Sequence, residues 1–344
     1  MAIIHDMMPA FELYQPSDLD GAIQLLDRHR GGAWVLAGGL DTMDWFKDRV
    51  KRPKVVVDLN GVAELRGVRD SDGGLEIGAM TTLTEVVSDP LVRERFSILA
   101  DAAATVATPQ IRNQATLGGN LCQDTRCWYY RGGWPCYRAG GNICYADTPT
   151  SMNREHCLFG ASRCVAVSPS DTANALVALD AVMTVVGPRG ARSVGAEEFF
   201  IGPRIDITRM TALQPNEVLA KVTLPAGFAG ARFYFEKVRD RQAWDFALVS
   251  VAAAFRMEGD TVADARIALG AVAPYPMRAK KAEAALRGKT LSTAVADAAG
   301  NAAVEGAKPL HHNAFKIPLT RNLVRRAVRG GALPEDGHSA AAGG

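Results

Sequence analysis

Val35-Leu-Ala-Gly-Gly-Leu-Asp-Thr42 closes a short apolar strand read over Trp34 to Ala37, and a second glycine pair ends Ile111-Arg-Asn-Gln-Ala-Thr-Leu-Gly-Gly-Asn120. Adjacent glycines after an apolar strand let the backbone take positive φ and approach a ligand closely. Their successive N–H groups can form a concavity that suits a phosphate. Neither stretch reads G-x-G-x-x-G, so the dinucleotide fold of dehydrogenases is not indicated. One Gly-Gly pair alone is an ordinary tight turn. Two such turns, the second inside a longer polar string, point to a backbone cradle.

Upstream of the first turn, Leu19, Ala22, Ile23, Leu25 and Leu26 give a helical stripe that Ser17 and Asp18 can cap. Downstream, Val55 to Leu59 is a continuous β-branched run of the kind that forms a buried strand. These alternations predict a small βαβ lobe over residues 1–60. A second region, 61–224, holds strand-like Leu75 to Ile77 and Met183 to Val186. Helical stretches there are Leu83 to Val87, Ile98 to Val106 and Asp171 to Leu179. A third, 225–330, opens on the alternating run Ala231-Arg-Phe-Tyr-Phe-Glu-Lys237 and continues with strands at Ala247 to Phe255 and Ala263 to Ala271, then two helices. The expected class is α+β, with helices segregated from a mostly antiparallel sheet. Residues 331–344, rich in Gly, Ala, Asp and Ser, read as a disordered tail.

The chain has 344 residues, 48% of them hydrophobic, and a formal net charge of +2. That balance gives no footprint for nucleic acid. No apolar run approaches the ~20 residues that span a bilayer, and the N-terminus does not have the pattern of a secretory signal. The run Arg49, Lys51, Arg52, Lys54 reads as a solvated loop. His311 and His312, being adjacent, point to different faces and read as structural. No G-x-S-x-G or H-E-x-x-H is present, so hydrolase and zinc-peptidase chemistry lacks support. All six cysteines lie between Cys122 and Cys164. Disulfide frameworks staple small secreted domains that lack a core, and this chain can build one. Six thiols in one segment therefore read as a metal or cluster site.

Four stretches together resemble the flavoprotein (medium) subunits of the xanthine dehydrogenase and aldehyde oxidase family: AGGLDTM, IRNQATLGGN, SPSDTANALVALDA from Ser168, and KVRDRQAWDFALVSVAA from Lys237. The resemblance runs from about Phe11 to Val328. It implies a two-lobed FAD-binding domain of the vanillyl-alcohol-oxidase/PCMH type followed by a C-terminal α+β domain. It also implies that Val35, Leu36, Ala37, Gly38, Gly39, Leu40, Asp41 and Thr42 hold the FAD pyrophosphate through backbone N–H groups. Ala107, Thr116, Gly119 and Asn120 would line the other side of the dinucleotide. Asp171 would bind ribityl or ribose hydroxyls, and Leu219 would pack on adenine or flavin. Lys237 would stand near the pyrimidine edge of the flavin, and Phe246 against the isoalloxazine face. Leu40 departs from the pattern, since the family usually has Thr there.

Between Asn120 and Ser168 the chain carries an insertion, at about 121–167, that most such subunits lack. Its aromatic and glycine-rich core, CWYYRGGWPCYRAGGNIC, shows little periodicity, and a loop of that length needs something to organise it. Zinc sites favour C-x₂₋₄-C pairs. Only Cys122 and Cys127 stand at such a spacing, so a zinc knuckle fits poorly. The insertion resembles those of the periplasmic aldehyde oxidoreductase and 4-hydroxybenzoyl-CoA reductase, whose flavin subunits carry a [4Fe-4S] cluster. That resemblance implies Cys127, Cys136, Cys144 and Cys164 as ligands. Cys122 and Cys157 read as small buried residues, and His156 as a solvated or packed histidine rather than a ligand.

The implied activity is electron transfer within a heterotrimeric molybdenum hydroxylase. A large subunit would hold molybdopterin, a small one two [2Fe-2S] clusters, and FAD on this chain would pass electrons to an external acceptor. Aldehydes are the preferred substrate class, with a 4-hydroxybenzoyl-CoA reductase-like complex, or another hydroxylase of aromatic or N-heterocyclic substrates, as the alternative within the family. A free-standing flavin oxidase and a redox-silent scaffold are the readings from other classes. The expected compartment is the cytoplasm, or the periplasm by co-export with a signal-bearing partner.

Overall fold

The computed structural model describes residues 8–330, so the tail expected to be disordered lies outside the described residues. The first lobe is a three-stranded parallel sheet of order β1-β3-β2, with β1 at Glu12–Tyr14, β2 at Ala33–Leu36 and β3 at Val55–Asp58. All four residues of β3 are buried, as a β-branched run sandwiched on both faces requires. The helix Leu19–Arg28 joins β1 to β2 and buries Ala22, Ile23 and Leu26. Asp18 caps it, accepting the Gly21 N–H at 2.7 Å. The expected βαβ pattern is present. The three-residue β1 is too short to show a period and adds a strand that the sequence does not signal.

A five-stranded antiparallel sheet follows, of order β4-β5-β8-β6-β7. Its strands are β4 Val68–Ser71, β5 Gly74–Gly78, β6 Val182–Gly187, β7 Gly190–Gly195 and β8 Val218–Leu224. Helices Leu83–Ser88, Ser97–Ala104 and Asp171–Ala178 cover it. The last sheet, β12-β11-β10-β9, is antiparallel and comprises β9 Arg232–Val238, β10 Val249–Glu258, β11 Thr261–Gly270 and β12 Met277–Arg278. Side chains alternate across a strand. On β10, Val251, Ala253 and Phe255 therefore enter a core with the C-terminal helices, while Ala252 and Ala254 pack into the core of the five-stranded sheet. This strand welds the last two units together. Three helices, Lys280–Leu286, Thr293–Ala303 and Lys316–Arg329, close the chain where two were expected. Alanine-rich and charged sequence runs through the breaks and blurs them.

The insertion has one four-residue helix, Trp128–Arg131, and a single 3-10 turn, Tyr137–Ala139. Side chains hold it from outside. Lys316, fully buried, donates from Nζ to the carbonyls of Glu155, His156 and Ala271 at 3.0, 3.1 and 2.8 Å. Asn313 donates to the carbonyls of His156 and Cys157. The basic run is not wholly solvated, because Lys51 reaches inward. Its Nζ donates to the Tyr130 hydroxyl at 2.6 Å and lies over the Trp45 and Tyr130 rings. Its long apolar stem makes that burial tolerable. Among the described residues no helix is long and apolar enough to cross a membrane.

Candidate functional site

A cleft of about 500 Å³ opens where the three sheets meet. One wall is the turn after β2. Gly39 there has φ +78°, a left-handed conformation that suits glycine. A side chain on Gly38 would overlap the Gln114 carbonyl, so the two glycine-bearing segments touch back to back. In the second turn, Thr116 caps the short helix Leu117–Cys122 and accepts the Gly119 N–H at 3.0 Å. Asn120 Oδ1 accepts from the Ser170 and Thr172 hydroxyls, each at 2.7 Å, fixing the start of helix Asp171–Ala178.

Fourteen of the sixteen residues expected around a dinucleotide line this cleft: Val35, Ala37, Gly38, Gly39, Leu40, Asp41, Thr42, Ala107, Thr116, Gly119, Asn120, Asp171, Leu219 and Phe246. Leu36 turns instead toward the aromatic cluster of Trp45 and Phe46. Lys237 is hidden behind Asp171, with Nζ 2.5 Å from its Oδ2 and 3.1 Å from the Thr105 carbonyl. Burial pushes the Asp171 carboxyl up, against the pull of the Lys237 ammonium.

Trp244 and Arg126 also line the cleft and were not among the expected residues. Ala107 and Trp244 both have positive φ, +43° and +55°, and the Trp244 N–H donates to the Ala107 carbonyl at 3.0 Å. Strained backbone of this kind clusters at ligand sites. Arg126 lays its guanidinium over the Phe246 ring, 4.5 Å from the centroid, and pairs with Asp41 at 3.0 Å. Asp41 also takes Arg131 at 2.5 Å, so its carboxylate ties the turn after β2 to the insertion. A second cavity of about 650 Å³ shares Arg126, Asp171 and Phe246 with the cleft.

Cys127, Cys136, Cys144 and Cys164 line one small cavity, walled by Tyr129, Tyr130, Tyr145 and Arg138. Burial pushes the Cys127 thiol up to about 12 and raises Cys144 and Cys164 as well. Among the described residues no three His, Cys, Asp or Glu side chains close on one point as a single ion needs. The four cysteines share the lining of one small cavity instead. Arg138 lines both this cavity and the cleft, and holds Asp124 at 2.6 Å. Cys157 is buried beside Ala146 and Val165, as expected. Cys122 is exposed and faces the cleft, contrary to expectation, because the helix Leu117–Cys122 ends at the cleft wall. His156 is packed rather than solvated, 3% exposed, with Nε2 3.3 Å from Cys127 Sγ. Burial pushes its imidazole down to about 4. His311 and His312 are both exposed.

Residues 9–227 match the FAD-binding domain of molybdopterin dehydrogenases, and 233–330 match the C-terminal domain of carbon monoxide dehydrogenase flavoproteins. The chain belongs to this family. It is an FAD-binding medium subunit of the molybdenum hydroxylases, an oxidoreductase component rather than the substrate-oxidising subunit. The aldehyde oxidoreductase FAD-binding subunit PaoB of Escherichia coli K12 is 37% identical over 298 residues, covering 85% of this chain and 89% of that protein. The carbon monoxide dehydrogenase medium chain of Hydrogenophaga pseudoflava is 32% identical, covering 93% and 96%. A solved structure of carbon monoxide dehydrogenase from that organism, lacking the Mo-pyranopterin moiety, superposes with a TM-score of 0.76 at 31% identity, covering 94% and 98%. The cleft of this medium subunit fits FAD. It has a glycine turn open to a phosphate, apolar side chains at Leu219 and Phe246 for rings, and cations at Arg126 and Lys51. Leu40 lines the wall and brings no hydroxyl to it.

Proposed function

We propose that this medium subunit carries FAD in the cleft and a [4Fe-4S] cluster on Cys127, Cys136, Cys144 and Cys164. It passes electrons from a [2Fe-2S] small subunit to an external acceptor, within a heterotrimer whose molybdopterin subunit oxidises aldehydes. The observation that carries this reading is the meeting of four cysteines at one cavity, with Arg138 common to that cavity and the FAD cleft. An all-sulfur donor set selects iron–sulfur or zinc, and four cysteines around one cavity that do not converge as a single ion needs suit a cluster better than one ion. Desolvation raises the thiols of Cys127, Cys144 and Cys164, so a bound metal is what would deprotonate them. Flavin, when bound, exchanges electrons one at a time with clusters and can then serve one- or two-electron acceptors. In this reading the turn after β2 binds the pyrophosphate, Phe246 covers the ring system, and Arg126 holds Phe246 in place. The second cavity gives an acceptor access beside Phe246. The aldehyde class rests on the 37% identity to an aldehyde oxidoreductase subunit.

Iron and sulfide analysis of single Cys→Ser variants in the co-purified complex tests the assignment. The expected result is cluster loss from each of the four variants and retention in Cys122→Ser and Cys157→Ser. Loss in Cys157→Ser with retention in Cys164→Ser would refute the ligand set, and wild-type protein without iron would refute the cluster. Substrate class is read from dye reduction with a panel of aldehydes, CO and N-heterocycles. A complex that reduces dye with N-heterocycles but with no aldehyde rules out the aldehyde reading.

A further inference from the structure

His156 does not line the cavity that the four cysteines share, yet its Nε2 stands 3.3 Å from Cys127 Sγ. We infer that His156 donates a hydrogen bond from Nε2–H to the Cys127 sulfur and thereby raises the reduction potential of the cluster. This inference rests on the cluster assignment above. A cysteine that ligates iron is a thiolate and can only accept, so the proton on the shared line belongs to Nε2. The ring then presents a bare lone pair at Nδ1. That atom is buried with no partner. A buried polar atom left unpaired in a native fold calls for an explanation, and orienting the other nitrogen toward a cluster sulfur supplies one. The backbone is held for the same purpose. Lys316 and Asn313, both from the C-terminal unit, donate to the His156 carbonyl at 3.1 and 3.0 Å. His156 belongs to the insertion, and its carbonyl is thus anchored to the C-terminal unit.

The physical effect has a definite sign. Reduction adds negative charge to the cluster and its sulfurs. A fixed N–H dipole aimed at one sulfur stabilises that charge, and does so more strongly in a buried, weakly polarisable setting. The reduced state therefore gains more than the oxidised one, and the potential rises.

The test is an EPR-monitored redox titration of the assembled complex, with iron and sulfide counted in parallel. His156→Phe keeps a ring of similar volume and removes the donor. It is expected to retain four irons and to titrate at a lower potential than the wild type. His156→Gln offers an amide N–H and is expected to recover part of the shift. A Phe variant with a full cluster and the wild-type potential overturns the inference. Iron lost from both variants assigns His156 a folding role only and overturns it as well, whereas iron lost from Phe but kept by Gln supports the hydrogen bond. Wild-type complex without iron is a different failure, that of the cluster reading, and is seen before any variant is made.

Discussion

Lys237 and Asp171 form an ion pair at 2.5 Å with side chains only 1% and 5% exposed. Removing one partner of such a pair costs about 3–5 kcal/mol, mostly by leaving the other charge stranded. Lys237→Met should therefore lower stability by roughly that amount in chemical denaturation, and adding Asp171→Asn should recover much of it. The deficit carries a pH signature. Burial already raises the Asp171 carboxyl, and without Lys237 it rises further. A group whose folded pKa is raised keeps its stability below the unfolded value, near 3.9, and loses it as pH rises through the folded value. The single variant should match wild type most closely in acid and fall behind toward neutrality. A deficit independent of pH would mean the pair is not the cause. The turn after β2 gives a second residue-scale expectation. An L-residue in the left-handed region costs about 1–2 kcal/mol, and a β-branched one fits worst. Gly39→Val, at φ +78°, should therefore lose FAD, read as flavin absorbance per chain. Gly39 was legible in the sequence because its requirement is local. The Lys237–Asp171 pair was not, since its partners lie 66 positions apart and only the fold joins them.

At the scale of elements, helices and strands with a clear period were legible, including the capped helix Leu19–Arg28 and the buried β3. β7, Gly190–Gly195, was not, because an edge strand of small and polar residues has no apolar face to alternate. The insertion was legible as an irregular loop from its lack of period. Its fastenings were invisible: Asp41 on Arg126 and Arg131, and Lys316 on the carbonyls of Glu155 and His156. With so little hydrogen-bonded regular structure, the segment depends on those fastenings and, in the proposed reading, on the cluster. Oxidative stripping of iron should therefore make the insertion the first site of limited proteolysis, with cuts mapped to 121–167, while the sheet around β10 stays resistant. Cleavage patterns identical before and after stripping would count against the cluster as the organiser of this loop.

For the whole molecule, one strand decides the assembly of parts. β10 serves two cores through its two faces, so the FAD-binding and C-terminal units cannot separate without exposing Ala252 and Ala254 on one side and their neighbours on the other. The cleft walls are fixed by that weld, which explains how a site spread over four sequence stretches stays in register. What the fold leaves uncovered is as informative. Trp128 and Met152 are 59% and 60% exposed on the insertion, joined there by Trp134 and Ile143, and Trp244 is 61% exposed at the cleft. Large apolar side chains gathered on one segment beside a cofactor site mark a contact surface, because water gains nothing from them and a partner would. A subunit fed with electrons by another chain needs such a surface close to its own centres. The chain expressed alone should therefore self-associate in size-exclusion chromatography. Co-expressed with the molybdopterin and [2Fe-2S] subunits, it should elute as one complex of the three. Amide exchange across 128–152 should slow on assembly, whereas exchange in β10, already buried in the free chain, should not change. A monodisperse isolated chain that oxidises an aldehyde by itself would refute the subunit role, and a stable complex with unchanged exchange over 128–152 would move the contact surface elsewhere on the molecule.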